Sequence, residues 1–180
     1  MKRGSRFLVA DVGGNITSIV PCELSSSNEV VIDHLSAESA KFGIQQVSEQ
    51  LDLRLRDEFV ELSSLESVPA PMINQALLTR TIDIKSKKNL DCAKCVKDAF
   101  DAIIPELSSV YANKFNRGVD VVAIPVSGGG GFISLPYIKD TVFKDQLVVE
   151  VEQNPDMAVF SNVRGVFKGF LARSLTRQSS

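Results

Sequence analysis

The sequence of 180 residues lacks several features that mark particular classes of protein. Acidic residues (22) slightly outnumber lysine and arginine (20), so no overall basic surface favours direct binding to nucleic acid. No apolar run approaches the roughly 20 residues of a membrane span. The apolar run that follows the N-terminal letters MKRGS is too short for a signal peptide. What remains is a globular composition, 44% hydrophobic and 23% charged, which can bury a core of its own.

Cysteine and histidine are also scarce, with three cysteines and one histidine. An odd number of cysteines without a secretion signal predicts reduced thiols and a cytoplasmic protein. Cys92 and Cys95 form a CxxC pair, which can be a redox pair or half of a metal site. Since His34 is the only histidine and no second CxxC exists, one chain cannot supply four ligands. We therefore interpret the cysteines as small core residues, with a cluster shared by two subunits as the alternative.

The first third of the chain has the pattern of an antiparallel meander. Residues 6–12 predict a buried strand, and Gly13-Gly14-Asn15 predicts the turn of a hairpin. Residues 16–22 predict its second strand and residues 29–35 a third strand. Apolar residues at spacings of three and four then predict a helix from residue 42 to residue 62.

The rest of the chain alternates helices and strands. A short helix (72–80) and a short strand (81–85) precede the polar letters SKKN, which predict a turn. The later elements are predicted as a helix over 89–115 with a kink or break at Pro105, a strand over 118–126, a helix over 133–143, a strand over 146–152 and a helix from about 156. This order predicts an α/β fold, a three-stranded antiparallel meander extended by parallel strands with covering helices.

Glycine clusters follow two separate buried strands. One is Asp11-Val12-Gly13-Gly14, and the other runs from Ser127 to Gly131. Glycine lets backbone N–H groups approach a ligand, and such groups in turns form anion-binding nests. An aspartate beside a nest can hold hydrated Mg²⁺. A single Gly-Gly hairpin is usually only a turn, but a pair of glycine-rich strand ends favours a site for nucleotide phosphate and magnesium.

Three segments of the chain resemble a known superfamily. DVGGNITSIVP resembles the second phosphate loop of the actin and heat-shock-chaperone ATPases, which in actins has the form D-x-G-x-x-V-T-x-x-V-P. The matching residues are Asp11, Gly13, Ile16, Thr17, Val20 and Pro21. VVAIPVSGGGG resembles the adenosine loop of this superfamily, and SNVRGVFKGF resembles the closing helix of bacterial and plasmid actins such as ParM.

The resemblance covers residues 6–172 and implies a ribonuclease-H-like lobe, the second of the two lobes of an actin-like ATPase. It implies a smaller outer subdomain inserted at about 64–88. From the sequence itself we expect flexible ends at 1–5 and 175–180. The implied function is that of a filament-forming protein of plasmid segregation or of a prokaryotic cytoskeleton. The implied cofactors are ATP and Mg²⁺ held through water. The implied partners are the missing first lobe or further copies of the chain. The charge and the lack of a long apolar run predict no direct nucleic acid and no membrane.

The resemblance also assigns roles to residues. Asp11 is implied as the catalytic and magnesium-binding acid. The implied phosphate contacts are Gly13, Gly14, Asn15 and Thr17, and the implied adenosine contacts are Ser127, Gly128, Gly129 and Gly130. ParM-type loops carry Thr or Ser after the glycines, whereas here Asn15 can donate to phosphate and Ile16 cannot. Because the first lobe supplies the other half of the site in these ATPases, we expect no efficient hydrolysis by this chain alone.

Two other functions remain open at this point. A solitary lobe of this kind can be a non-catalytic interaction or assembly module with a vestigial nucleotide loop. It can also be a lobe of a sugar- or acetate-kinase-type phosphotransferase, whose catalytic base and substrate pocket lie in the first lobe. The closing segment SNVRGVFKGF favours the actin side.

Overall fold

The computed structural model describes residues 5–27 and 29–150, which form a mixed sheet covered by helices. The strands are β1 (Arg6–Val12), β2 (Thr17–Leu24), β3 (Val30–Ile32), β4 (Glu38–Ala40), β5 (Thr81–Ile84), β6 (Lys87–Asp91), β7 (Ile124–Ser127) and β8 (Val148–Glu150). The helices are α1 (Ile44–Glu58), α2 (Ala70–Thr79), α3 (Ala93–Phe115) and α4 (Gly129–Ile138). None of the helices in this described part has the length and apolar character needed to cross a bilayer.

The main sheet has six strands, with the order β3-β2-β1-β7-β8 and with β4 also paired to β2. The pairs β1–β2, β2–β3 and β2–β4 are antiparallel, whereas β7 is parallel to β1 and β8 is parallel to β7. The predicted fold class, an antiparallel meander extended by parallel strands, is therefore confirmed. Because β1, β7 and β8 are parallel, their carboxyl ends meet at one edge of the sheet, where open α/β sheets bind ligands.

The third strand of the meander differs from its prediction. Residues 29–35 do not form one strand, since β3 and β4 pair with opposite halves of β2 and a turn separates them. In that turn a side-chain oxygen of Asp33 accepts hydrogen bonds from the N–H groups of Leu35 (3.1 Å) and Ser36 (3.2 Å). An aspartate that binds the backbone two and three residues later stabilises a turn rather than a strand.

The core lies on the face of the sheet to which β1 directs Leu8, Ala10 and Val12, all fully buried. Helices α1 and α3 pack together over this face and bury one stripe each. Pro105 neither ends nor divides α3, which continues to Phe115. Since Pro105 is exposed, its ring lies on the outer side of the helix rather than in the core.

A small unit lies between α1 and α3. It consists of α2 and a separate two-stranded antiparallel sheet, β5–β6. The SKKN letters predicted a turn, but the turn between β5 and β6 consists of Lys85 and Ser86, and strand β6 already begins at Lys87. Lys85 has a left-handed backbone conformation in this tight connection. This unit overlaps the insert predicted at 64–88, whose role as a subdomain stays a prediction.

The second half of the chain follows the predicted order with different bounds. Strand β7 occupies only residues 124–127, and α4 begins directly at Gly129 rather than at residue 133. Strand β8 is likewise shorter than the predicted 146–152. The helix predicted from about 156 and the flexible end at 175–180 lie outside the described residues.

Candidate functional site

The predicted site residues meet at the carboxyl edge of the sheet. Asp11 is paired with Ser18 of β2 on one side and with Ser127 of β7 on the other. Directly paired residues direct their side chains to the same face, so three oxygen-bearing side chains form a row across neighbouring strands. Asp11 and Ser127 are far apart in the chain, and only the parallel pairing of β1 with β7 brings them together.

The hairpin between β1 and β2 presents bare backbone at its tip. Gly13 donates its N–H to the carbonyl of Ile16 over 2.9 Å, which closes a tight turn. Gly14, Asn15 and Ile16 are exposed. A Cβ added at Gly14 would meet nothing within 4 Å. Packing therefore does not require glycine at position 14.

The glycines after β7 have a different environment. Gly128 has a φ of +87°, and a Cβ there would lie 2.4 Å from Asp11 Oδ1 and 2.5 Å from the carbonyl oxygen of Val12. A Cβ at Gly130 would lie 2.8 Å from a methyl group of Val12 and 2.9 Å from a carbon of Ile44. These two glycines are required where α4 packs against the end of β1. The predicted adenosine loop thus lies directly against the predicted phosphate loop.

Thr17 lies beneath the hairpin rather than at its outer surface. It is fully buried, it is paired with Val12, and its hydroxyl donates to the carbonyl of Phe42 over 2.8 Å. Its hydroxyl is therefore committed to the backbone segment that leads into α1. The predicted contact between Thr17 and phosphate is not what this geometry favours.

Two helices begin at this edge. The N-terminal amides of α1 donate to the hairpin, from Ile44 to the carbonyl of Gly13 (3.2 Å) and from Gln45 to that of Gly14 (2.7 Å). Helix α4 begins at Gly129, and neither helix has a side-chain cap or an acidic residue in its first turn. The positive ends of two helix dipoles therefore lie beside the hairpin, an arrangement that favours an anion.

A cavity of about 260 Å³ lies beside the first turns of α4. Its walls are mainly apolar side chains of α2 and α4, and its charged members are Arg80 and Glu150. Arg80 is oriented by a hydrogen bond to the Tyr137 hydroxyl (3.2 Å). Sequence reasoning missed this cavity because α2 and α4 are far apart in the chain and no local motif marks their contact.

The described residues contain no cluster of three or more His, Cys, Asp or Glu that could hold a metal ion. Magnesium in phosphate sites needs fewer protein ligands, commonly one or two carboxylates together with water and the phosphates. Asp11 is the carboxylate that the fold places beside the hairpin and the start of α4. The residues present therefore fit a hydrated magnesium ion that is held jointly with a phosphate.

The CxxC pair lies in the hydrophobic core. Cys92 and Cys95 are free thiols, both buried, and both belong to the hydrophobic core. Burial raises the pKa of the Cys92 thiol to about 11 and also raises the pKa of Cys95. Such thiols stay protonated and unreactive near neutral pH. Their interpretation as core residues is confirmed.

No family model and no curated protein matches the sequence. Among solved structures, the archaeal actin homolog Ta0583 aligns with 96% of this chain at a TM-score of 0.72 and 17% identity. A ParM filament from Clostridium botulinum aligns with 88% of it at a TM-score of 0.67 and 16% identity. The chain has the fold of the actin-like ATPases.

The actin-like fold is matched over part of each neighbour. The chain spans about half the length of the structures that it matches, 49% of the archaeal homolog and 44% of the C. botulinum ParM. ParM from Bacillus thuringiensis, solved with ATP, aligns with 96% of this chain at a TM-score of 0.60 and 12% identity. Another structure of the archaeal homolog is a complex with ADP, at a TM-score of 0.57 and 18% identity.

Proposed function

We propose that this chain is the second lobe of an actin-like, filament-forming protein and that it binds ATP and magnesium at the carboxyl edge of its sheet. One observation carries the proposal. Two glycine-bearing strand ends and two helix N-termini converge beside Asp11 in an actin-like fold. Bare backbone and positive helix ends suit phosphate, and a carboxylate at the same place suits its magnesium ion.

The proposed site has three parts. The hairpin amides at Gly14 and Asn15 bind phosphate oxygens, and Asp11 holds magnesium through water. The N-terminal amides of α4, together with Ser127, face the sugar side of the nucleotide. The cavity between α2 and α4 takes the base, with apolar walls for its faces and Glu150 as an acceptor for an amino group.

Phosphoryl transfer needs charge stabilisation and a positioned water on both sides of the phosphates. We propose that Asp11 contributes to charge stabilisation on one side of the phosphates, and that another lobe or another copy of the chain contributes the groups on the other side. We therefore expect nucleotide binding by this chain but little hydrolysis. The buried, free thiols are compatible with a cytoplasmic setting.

Nucleotide binding is tested by calorimetric titration of the folded protein with MgADP, MgATP and magnesium pyrophosphate. Binding that weakens in the absence of magnesium and in Asp11→Asn supports the proposal. A folded protein that binds none of the three ligands contradicts it. Circular dichroism on the same samples shows whether the protein is folded.

Assembly is tested by ultracentrifugation and electron microscopy with and without MgATP. Pelleting into filaments that depends on nucleotide supports the actin-like role. A chain that also contains a first lobe and still fails to assemble under any nucleotide would contradict the filament part of the proposal.

A second candidate function, a non-catalytic interaction module, is favoured by one surface. Val30, Val31 and Ile32 of β3 are about half exposed, and Leu35 beyond them is fully exposed. Exposed apolar side chains on a strand at the edge of a sheet are typical of an interaction site. If the folded protein binds no nucleotide but associates with a partner, and if Val31→Lys abolishes that association, the module is the better description.

A further inference from the structure

We propose that Gly43 and Thr17 are positioning residues, which hold the hairpin against the start of α1 so that the N–H groups of Gly14 and Asn15 face outward for a phosphate-class anion. This inference rests on the proposed function, because it names residues that build the same site. Gly43 belongs to none of the glycine clusters that follow β1 and β7, and Thr17 was expected to touch the ligand itself.

The first step is the anchor beneath the hairpin. Thr17 opens β2, and its buried hydroxyl binds the carbonyl of Phe42, one residue before Gly43. Thr17 also pairs with Ala40 of β4 in the sheet. The segment that leads into α1 is therefore fixed at both its backbone and its side chains, since Phe42 is itself fully buried.

The second step is the close contact at Gly43. Its backbone is extended, with φ −162° and ψ 170°, a conformation that any residue can adopt. The need for glycine is therefore steric. A Cβ at Gly43 would lie 2.4 Å from the carbonyl oxygen of Gly14 and 2.7 Å from the carbonyl carbon of Asn15. These are backbone atoms, so a side chain at position 43 would displace the hairpin tip.

The third step is the direction of the peptide groups. Ile44 and Gln45 donate to the carbonyls of Gly13 and Gly14, which fixes both carbonyls toward α1. In a trans peptide the carbonyl and the following N–H lie on opposite sides. The N–H groups of Gly14 and Asn15 must therefore point away from α1, toward the open side of the exposed tip.

The fourth step is electrostatic. Amides at the start of a helix normally seek a side-chain cap or a ligand. Here hairpin carbonyls accept from them, so the dipoles of the two hairpin peptides continue the dipole of α1 outward. Within residues 5–27 and 29–150, no backbone carbonyl accepts a hydrogen bond from the N–H of Gly14 or Asn15. The positive end of the helix is thereby presented at these two amides.

The test compares Gly43→Ala and Thr17→Val with Thr17→Ser, which keeps the hydroxyl. We expect Gly43→Ala and Thr17→Val each to weaken pyrophosphate binding at least about tenfold, whereas Thr17→Ser stays within about threefold. Amide NMR should show pyrophosphate shifting the Gly14 and Asn15 signals in the wild type. Hydrogen exchange without ligand should be slow at Ile44 and Gln45 in the wild type and faster in the two disruptive variants.

Two outcomes overturn the inference. One is wild-type affinity and wild-type exchange in both disruptive variants, and the other is equal loss in Thr17→Ser and Thr17→Val. If Gly43→Ala does not fold, the two Thr17 variants decide. If the folded wild type binds neither pyrophosphate nor nucleotide, the proposed function fails. The exchange rates of Ile44 and Gln45 then still decide whether Gly43 and Thr17 hold the hairpin.

Discussion

The two glycine-bearing strand ends look alike in the sequence and differ in the structure. At the end of β7, Gly128 and Gly130 lie where any side chain would strike the end of β1, and Gly128 also has a positive φ. At the tip of the β1–β2 hairpin, Gly14 has open space around it. Packing explains much of the cluster after β7, whereas it does not explain Gly14.

This difference separates two uses of glycine. A glycine against neighbouring backbone permits close packing and contributes to stability. A glycine with open space and ordinary backbone contributes nothing to packing, so its bare backbone is the better indicator of a ligand. The hairpin is therefore the stronger candidate for phosphate, although the longer run of glycine follows β7. Four predictions test this distinction.

The largest effect is expected for Gly128→Ala. Its Cβ would collide with Asp11 and Val12 in a conformation that L-residues rarely adopt, so we expect about 2–4 kcal/mol of lost stability. Urea unfolding measures this loss. The control is Gly131→Ala, whose closest contact would be a side-chain methyl group of Val126 at 3.2 Å and whose loss of stability we expect to stay below about 1 kcal/mol. Equal stability of the two variants would remove the packing explanation.

The next effect is expected for Asp11→Asn. This change keeps the shape and removes the charge beside the hairpin. We expect MgADP affinity to fall about thirtyfold, or about 2 kcal/mol, while affinity for ADP without magnesium changes little. Calorimetry with and without magnesium makes the comparison. An equal loss under both conditions would show that Asp11 supports the loop rather than the metal.

A smaller and more selective effect is expected for Gly14→Ala. The added methyl meets no protein atom, so unfolding should change by less than about 0.5 kcal/mol. The methyl would lie at the exposed tip where phosphate is proposed to bind, and pyrophosphate affinity should fall about tenfold. Unchanged affinity would mean that the hairpin is only a turn. The two strand ends would then not differ in ligand binding.

The smallest effect is expected for Ser127→Ala. The hydroxyl lies in the same row as Asp11 but carries no charge, so its loss should weaken MgADP binding by about threefold, or about 0.7 kcal/mol. Side-by-side titration with Asp11→Asn measures the ratio. A loss as large as that of Asp11→Asn would place the β7 end at the centre of the site and reverse the ranking of the two ends.

Much of the order of elements could be predicted from the sequence. The hairpin at Gly13–Asn15 follows from turn chemistry between two β-rich runs, and α3 follows from its apolar stripe. The start of α4 could not be predicted in this way. Residues 128–131 are glycines, so they have no side chains that could show a helical period. The helix begins at Gly129 because it packs against β1, since glycine has a low helix propensity.

The candidate site also contains parts that could be predicted from the sequence and parts that could not. Asp11 and the hairpin glycines could be predicted because acid, turn and strand are adjacent in the chain. Arg80, which follows α2, and Glu150 of β8 could not, since only the tertiary packing places both at one cavity beside α4. The position of Thr17 also could not be predicted, because a threonine next to a turn can either contact a ligand or be buried and bind the backbone beneath the turn.

From the sequence alone one can predict an aspartate and bare backbone at the end of a buried strand, together with a second run of glycine far along the chain. Turn propensity and apolar pattern depend on residues that are close together in the chain, so they can be recognised without knowledge of the fold. The tertiary structure alone decided which glycines serve packing, that Thr17 lies underneath, and that Gly43 contacts the hairpin. These depend on distances of 2–3 Å between residues separated in the chain, which only the folded backbone sets.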